Sequence, residues 1–493
     1  MMFALGLRVL YLFVLYILGS ANTHRFHVES TTLMFVACGV AWRLARARHA
    51  AHERSRSLQL PAWMWLALCG LAIALYWSAL SVGFLSDDFV LVTHASGWSI
   101  GPVAPSLFRP VPLLLWAVLL HAGAGATTLH LVNILLHGTN AYLTTRVVSG
   151  WLADRRWSLL AGLLVLTMPL APEAVVWCAG VFDLLTTTLI LTSILIARRY
   201  DDHPSVTTRL QFVVIGVAAL GSKETAAIGA GFVLVDAWAR NAISRKLCVD
   251  TGILITVAGV FSLVRLTSAF GLAKPPFGKY LVQRAIFGSF GALAVPWHVD
   301  VIRTVPWLPV LGVLAVVYLL MVFFLDSGSR QRTTLAMAAA AWVLLPIIPI
   351  FPLFFVAPDL QASRFLYLPA VGWAALLVVV ASEQSAKTIA AGVGLIVMAA
   401  YGTWLHLHPW NEAALMRDRV EASALDAGMN RCTVVALSNL PDSVRGAYVF
   451  RNGGPEAFAR DLHLHAILDS HPGGQCSFRW SDTRLSFEAS HRP

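Results

Sequence analysis

The chain has 493 residues, 57% of them hydrophobic and 13% charged, with a mean hydropathy of +0.69. Soluble globular chains carry about 25% charged residues, so this composition excludes an ordinary water-soluble fold and points to lipid as the solvent. The formal charge of +10 raises nucleic acid as a partner, but the basic residues form no patch with interleaved aromatics, and no nucleic acid is expected.

A membrane-crossing helix needs about 20 mainly apolar residues to cover about 30 Å of hydrocarbon. Such stretches run near 3–20, 30–46, 61–83, 127–148, 157–170, 181–197, 210–221, 225–239, 250–269, 305–325, 333–354, 365–382 and 387–404. The first carries Arg8 within it and lacks a basic start and an A-x-A site, so it reads as an uncleaved span and not a signal peptide. Short loops between spans hold Arg43, Arg46, Arg48, Arg54 and Arg56, then Arg155 with Arg156, Arg198 with Arg199, Arg245 with Lys246, and Arg330 with Arg332. With these loops in the cytoplasm, about 13 spans place the N-terminus inside and the C-terminus outside. The segment 281–297 is interrupted by glycines and ended by Pro296, and is predicted to be interfacial or re-entrant.

The expected fold is thus an all-α polytopic membrane protein with a small C-terminal α/β domain. Residues 1–60 form N-terminal segments and a basic loop, 61–404 the main membrane domain, and 405–493 the outer domain. In that last part a helical stretch near 411–427 precedes β-like runs at 432–438 and near 475–489. Cys38 and Cys69 lie in apolar runs and Cys178 and Cys248 near membrane ends. In an oxidising exterior Cys432 and Cys476 are either a disulfide or two free thiols. No Cys/His metal spacing appears, and neither metal nor other cofactor is expected.

The same parity puts isolated charges of mixed sign on the outer side: Asp87 and Asp88 with Arg109, then Glu173 and Asp183, Lys223 and Glu224, Lys274, Lys279 and Arg284, and finally Asp359 and Arg364. Orientation does not require them, which marks them as functional candidates. Asp87 and Asp88 follow directly on the span 61–83. One carboxylate beside a reacting hydroxyl is a general base, and the second orients the acceptor or the first. The bland alternative is a solvated loop.

His130, Asn133, His137 and Asn140 share one helical stripe, with interhelical hydrogen bonding as the plain reading and His130, nearest the outer end, expected to see substrate. Lys223 and Glu224 read either as a self-contained ion pair or as site residues. Glu173 and Asp183 suit the caps of short helices. Arg364 and Tyr367 place a guanidinium and a phenol at an outer boundary, where arginine suits planar phosphate recognition and interfacial snorkelling is the alternative.

The ordered series of Asp87-Asp88, Phe108-Arg109-Pro110, His130-Leu-Val-Asn133 with His137, Glu173-Ala-Val-Val-Trp177, Asp183-Leu-Leu185, Ser222-Lys-Glu224 and Arg364-Phe-Leu-Tyr-Leu-Pro369 resembles the GT-C glycosyltransferases. Within these it is most similar to the protein O-mannosyltransferase-like branch that includes the transmembrane and tetratricopeptide-repeat mannosyltransferases. The resemblance covers roughly residues 60–405. It departs at Met168 and Ala171, where members often have histidines, and at Val181 and Phe182, where they have a basic pair. No repeat array follows; Leu440-Pro-Asp-Ser443 and Gly446-Ala-Tyr-Val-Phe-Arg-Asn452 resemble the tails of bacterial members.

The resemblance implies an inverting enzyme of the bacterial inner membrane, with its active site on the outer face. It would take a sugar from a polyprenyl-phosphate donor to a hydroxyl of a glycan, lipid or protein acceptor. Asp87 matches the catalytic carboxylate and Asp88 its neighbour. Arg109, His130, Glu173, Asp183, Lys223, Glu224, Arg364 and Tyr367 fall on substrate-binding positions by motif order. A transporter or flippase, or a non-catalytic protein of envelope glycan assembly, is the rival reading; the sequence has neither the repeat symmetry nor the midplane charges of a transporter.

Overall fold

The computed structural model describes residues 60–103, 108–152, 154–202, 205–268, 289, 291–307, 309–314, 316–317, 330–347, 356–382, 386–468 and 476–489. The expected spans 3–20 and 30–46, the basic loop that follows them, Lys274, Lys279 and Arg284 lie outside these residues, as do parts of 305–325 and of 281–297.

The chain is mostly helical. In order the helices are α1 (Ala62–Leu75), α2 (Asp87–Ser96), α3 (Pro110–His121), α4 (Ala126–Ser149), α5 (Arg155–Leu166), α6 (Pro172–Val176), α7 (Val181–Asp202), α8 (Val206–Leu220), α9 (Gly229–Ala239), α10 (Arg245–Ser268), α11 (Val299–Thr304), α12 (Arg330–Leu344), α13 (Tyr367–Ala381), α14 (Ala386–Asp426) and α15 (Gly454–Asp461). Their starts follow local chemistry. Asp154 caps α5 by accepting from Arg156 N at 2.7 Å, and Ser205 caps α8 by accepting from Thr208 N at 3.1 Å. Pro110 opens α3 at the position where its missing N–H costs nothing.

Helix α4 is the centre of the bundle and packs on α1, α5 and α7. Two glycines permit the closest approaches: a Cβ on Gly138 would stand 2.7 Å from Cys69 Cα on α1, and one on Gly162 of α5 2.5 Å from Ala141 O. Small residues at such crossings let the helix backbones meet closely.

Among the described residues three helices are long and apolar enough to cross a membrane, Cys178–Tyr200, Ser363–Ala381 and Ile389–Asp426; Ala62–Leu75, Pro110–His121 and Val206–Leu220 are apolar but shorter. This is far from the expected count of about 13. Most expected spans do fall on helices, but several stop at 11 to 15 residues, below the length that crosses hydrocarbon unaided. Two further expectations change. The stretch 84–126, read as one loop, contains α2 and α3. The boundary at 404–405 lies inside the 41-residue α14, which runs through Pro409 without a break. At 1.5 Å per residue that helix is about 60 Å long, roughly twice the hydrocarbon thickness.

After α14, strands β1 (Val435–Ser438), β2 (Ser443–Val444), β3 (Ala447–Tyr448), β4 (Ala466–Leu468), β5 (Ser477–Ser481) and β6 (Ser486–Ala489) build the small C-terminal domain. Its sheet has the order β4-β1-β5-β6, with β1 parallel to both neighbours and β5 antiparallel to β6; β2 and β3 form a separate hairpin. Cys432 and Cys476 are disulfide-bonded. Phe450, Phe458, Trp480 and Phe487 share one continuous buried cluster with Tyr76, Phe89, Trp116 and Trp177, so this domain is cored against the helices and not tethered beside them.

Candidate active site

The backbone after α1 turns at Gly83 and Ser86 to start α2. Ser86 adopts φ 52° and ψ −121°, a region that costs a non-glycine residue about 1–3 kcal/mol and occurs where surrounding contacts enforce it. This turn puts Asp87 and Asp88 in the first turn of α2, where the helix dipole favours negative charge. The two carboxylates then diverge. Asp88 is fully buried, with Oδ2 accepting from Leu85 N at 3.0 Å and Oδ1 from Ala179 N at 2.8 Å. Burial pushes its pKa well above the usual carboxylate range, against those backbone donors. Asp88 therefore ties α2 to the 178–180 turn. Asp87 is half-buried and accepts at Oδ1 from Asn452 Nδ2 at 2.7 Å.

Around this turn three cation–carboxylate pairs form between residues far apart in sequence. Arg109 holds Glu224 through Nε at 3.2 Å and through Nη2 at 3.0 Å to both oxygens. Lys223 Nζ meets Asp183 Oδ1. Arg364 Nη1 meets Glu173 Oε1 at 2.8 Å. Lys223 and Glu224 thus do not satisfy each other as a self-contained pair; the extended backbone at Lys223 sends the adjacent side chains to different partners.

Each cation also stands over an aromatic ring, Arg109 on Phe182 at 4.8 Å, Lys223 on Phe365 at 4.9 Å and Arg364 on Trp177 at 4.4 Å. These aromatic faces offset part of the lost hydration of the cations. Phe182 stands at one of the two positions where the resemblance expects a basic pair. Glu173 is buried and also accepts from Ser363 Oγ at 3.1 Å, Arg364 N at 3.2 Å and Tyr448 Oη at 3.2 Å. Burial still pushes its pKa up, and Arg364 opposes the shift. Burial likewise pushes Lys223 down, opposed first by Asp183.

Two expected substrate residues are placed otherwise. His130 is fully buried, its Nε2 on Gly83 O at 2.9 Å and its ring against Cys178 Sγ, so it braces the turn before Asp87 instead of facing a substrate. Tyr367 is 2% exposed, and its hydroxyl meets His137 Nδ1 at 2.7 Å and Asn140 Nδ2 at 3.3 Å. With Asn133 Nδ2 donating to Trp177 O at 2.9 Å, the α4 stripe is interhelical hydrogen bonding. The physical reason is common to both: a polar group at the buried centre of a bundle is consumed by neighbouring backbone or side-chain partners.

A small open pocket is lined by Glu173 together with His298, Asp359, His406, Trp410 and Arg445 among others. A second, apolar pocket is lined by Leu293, Trp297, Trp373 and Met398 among others; the two share Pro169. Among the described residues no group of three His, Cys, Asp or Glu is placed to hold a metal.

No protein-family model and no curated protein matches the chain. Tyr448, Arg451 and Asn452 of the C-terminal domain reach the site without having been singled out individually. Tyr448 packs on Trp177 at 4.8 Å and lies beneath Arg451 at 5.3 Å. The only signal in the sequence was the Gly446–Asn452 run.

Proposed function

We propose that the chain is an inverting glycosyltransferase that moves a sugar from a polyprenyl-phosphate donor to an acceptor hydroxyl. In this reading Asp87 deprotonates the acceptor as the glycosidic bond forms, and the lipid phosphate departs. What carries the reading is the meeting of a half-buried, solvent-reaching Asp87 with Arg364, which stands over Trp177 while Trp177 Nε1 donates to Leu85 O of the turn before Asp87 at 3.1 Å, beside two further cation–carboxylate pairs. Glu173 takes Nη1 of Arg364, and a guanidinium has five N–H donors, so a phosphate can share the arginine without displacing the glutamate. Fixed charges in a water-poor site stabilise a developing anion without reorganising.

The apolar pocket that shares Pro169 with the pocket holding Glu173 and Arg445 suits a donor whose tail is lipid and whose head is charged. The Cys432–Cys476 disulfide supports an oxidising, extracytoplasmic location for the C-terminal domain, on the outer side of a bacterial inner membrane crossed by a GT-C-like set of about 13 spans.

The test is transfer by the purified protein from a polyprenyl-phosphate sugar, followed by release of the lipid phosphate. Asp87→Asn keeps size but cannot take the proton, and turnover should fall at least about 10²-fold with unchanged thermal stability. Near-parent turnover in Asp87→Asn would remove Asp87 as the base, and no transfer by the parent would remove the enzyme reading.

A further inference from the structure

The segment Val449–Gly453 of the C-terminal domain lies across the turn that aims Asp87. Ser86 N donates to Val449 O at 2.8 Å, Asn452 N donates to Ser86 Oγ at 3.4 Å, and Asn452 Nδ2 donates to Asp87 Oδ1 at 2.7 Å. Gly453, at φ 98°, passes so close that a Cβ there would stand 2.7 Å from Ser86 O. Ser86 holds a backbone conformation that L residues rarely adopt, and the contacts available to hold it come in large part from this strap. The strap is itself anchored: Phe450 packs in the buried core, and Arg451 donates to Gln361 Oε1 at 2.9 Å.

The geometry points to Asn452 as a positioning residue for the Asp87 carboxylate, with the strap Val449–Gly453 holding the Ser86–Asp87 turn in place, so that the active site is completed by the C-terminal domain. This rests on the reading of Asp87 as the base. The side-chain amide fixes which carboxylate oxygen is engaged and leaves the other to face the acceptor hydroxyl. A base must be held within hydrogen-bond reach of the proton it takes, and small misplacements cost large factors in rate.

The test has two arms on the full-length protein in lipid nanodiscs. In transfer assays, Asn452→Ala should lower kcat about 10-fold with the donor KM within about twofold, because only the orientation of the base is lost. Asn452→Asp, which sets a like charge against Asp87, should lower it further. In an Asp87→Asn background, Asn452→Ala should cost nothing more, since two residues acting through one group are non-additive. An undiminished second loss in that background, or no loss in the parent, overturns the assignment.

The second arm needs no activity: Gly453→Ala should speed amide exchange at Ser86 and in the first turn of α2, and unchanged exchange there overturns the strap. If the parent transfers no sugar at all, the glycosyltransferase reading has failed, and the exchange arm still decides whether the C-terminal domain holds the turn.

Discussion

Removing Arg364 tests the site where its electrostatics are most constrained. Glu173 is 3% exposed and the arginine side chain 22%, so Arg364→Ala leaves a carboxylate in a place with little water to replace the lost cation. Breaking a buried pair by deleting one partner typically costs about 3–5 kcal/mol. Glu173 keeps Ser363 Oγ, the backbone N–H of residue 364 and Tyr448 Oη, so the lower end, about 3 kcal/mol, is expected.

The cost should depend on pH. Burial already raises the pKa of Glu173 in the folded state, so the folded protein binds that proton more tightly than the unfolded chain. Such a group contributes stability that is present below the ordinary carboxylate range and lost as pH rises through the raised folded value. Without Arg364 that value rises further, and the gap between variant and parent should therefore narrow from pH 7 to pH 5. Glu173→Gln should cost less than Arg364→Ala, because the amide keeps an acceptor for the remaining donors. In Glu173→Gln, adding Arg364→Ala should cost well under 3 kcal/mol. Denaturant unfolding in detergent, followed by tryptophan fluorescence at the two pH values, reads all four. Equal stability of Arg364→Ala and the parent at pH 7, or a gap that widens as pH falls, would refute the account of the pair.

Other perturbations separate structure from chemistry. Asp88→Asn keeps one acceptor oxygen but turns an N–H group towards a backbone N–H, and should cost about 1–3 kcal/mol of stability while the folded fraction keeps most of its turnover; unaltered unfolding would show that Asp88 does not tie α2 to residue 179. The Cys432–Cys476 bond spans 44 residues, for which loop-closure entropy gives about 4 kcal/mol. Cys432→Ser with Cys476→Ser should therefore make the C-terminal domain sensitive to limited proteolysis at temperatures the parent withstands, and equal resistance would deny the bond that role. Alkaline phosphatase fused after Pro493 should be active, and an inactive fusion beside an active cytoplasmic reporter would invert the orientation proposed for the site.

What the sequence determined by itself is what composition and periodicity encode. Apolar runs bounded by arginine clusters marked most of the helices, because a run of apolar residues several turns long is visible in local hydropathy alone. The carboxylates and cations of the candidate site stood out because charge beside lipid is costly and therefore conspicuous. Sequence could also mark the polar stripe on α4 with interhelical bonding as its plain reading, but not that burial at the bundle centre spends His130 of that stripe, and Tyr367 of α13, on backbone and on neighbouring side chains.

Pairing was decided only by the tertiary structure. Lys223 and Glu224 are adjacent in the chain yet bond to residues 183 and 109, and Glu173 finds Arg364 nearly two hundred residues away. Likewise no local pattern announces that Asn452 reaches Asp87 or that Tyr448 reaches Glu173. Those contacts exist because α14 continues past the expected boundary and its end shares a buried core with α1 and α2, so the docking of one domain on another, which no short window of sequence contains, chooses which side chains meet.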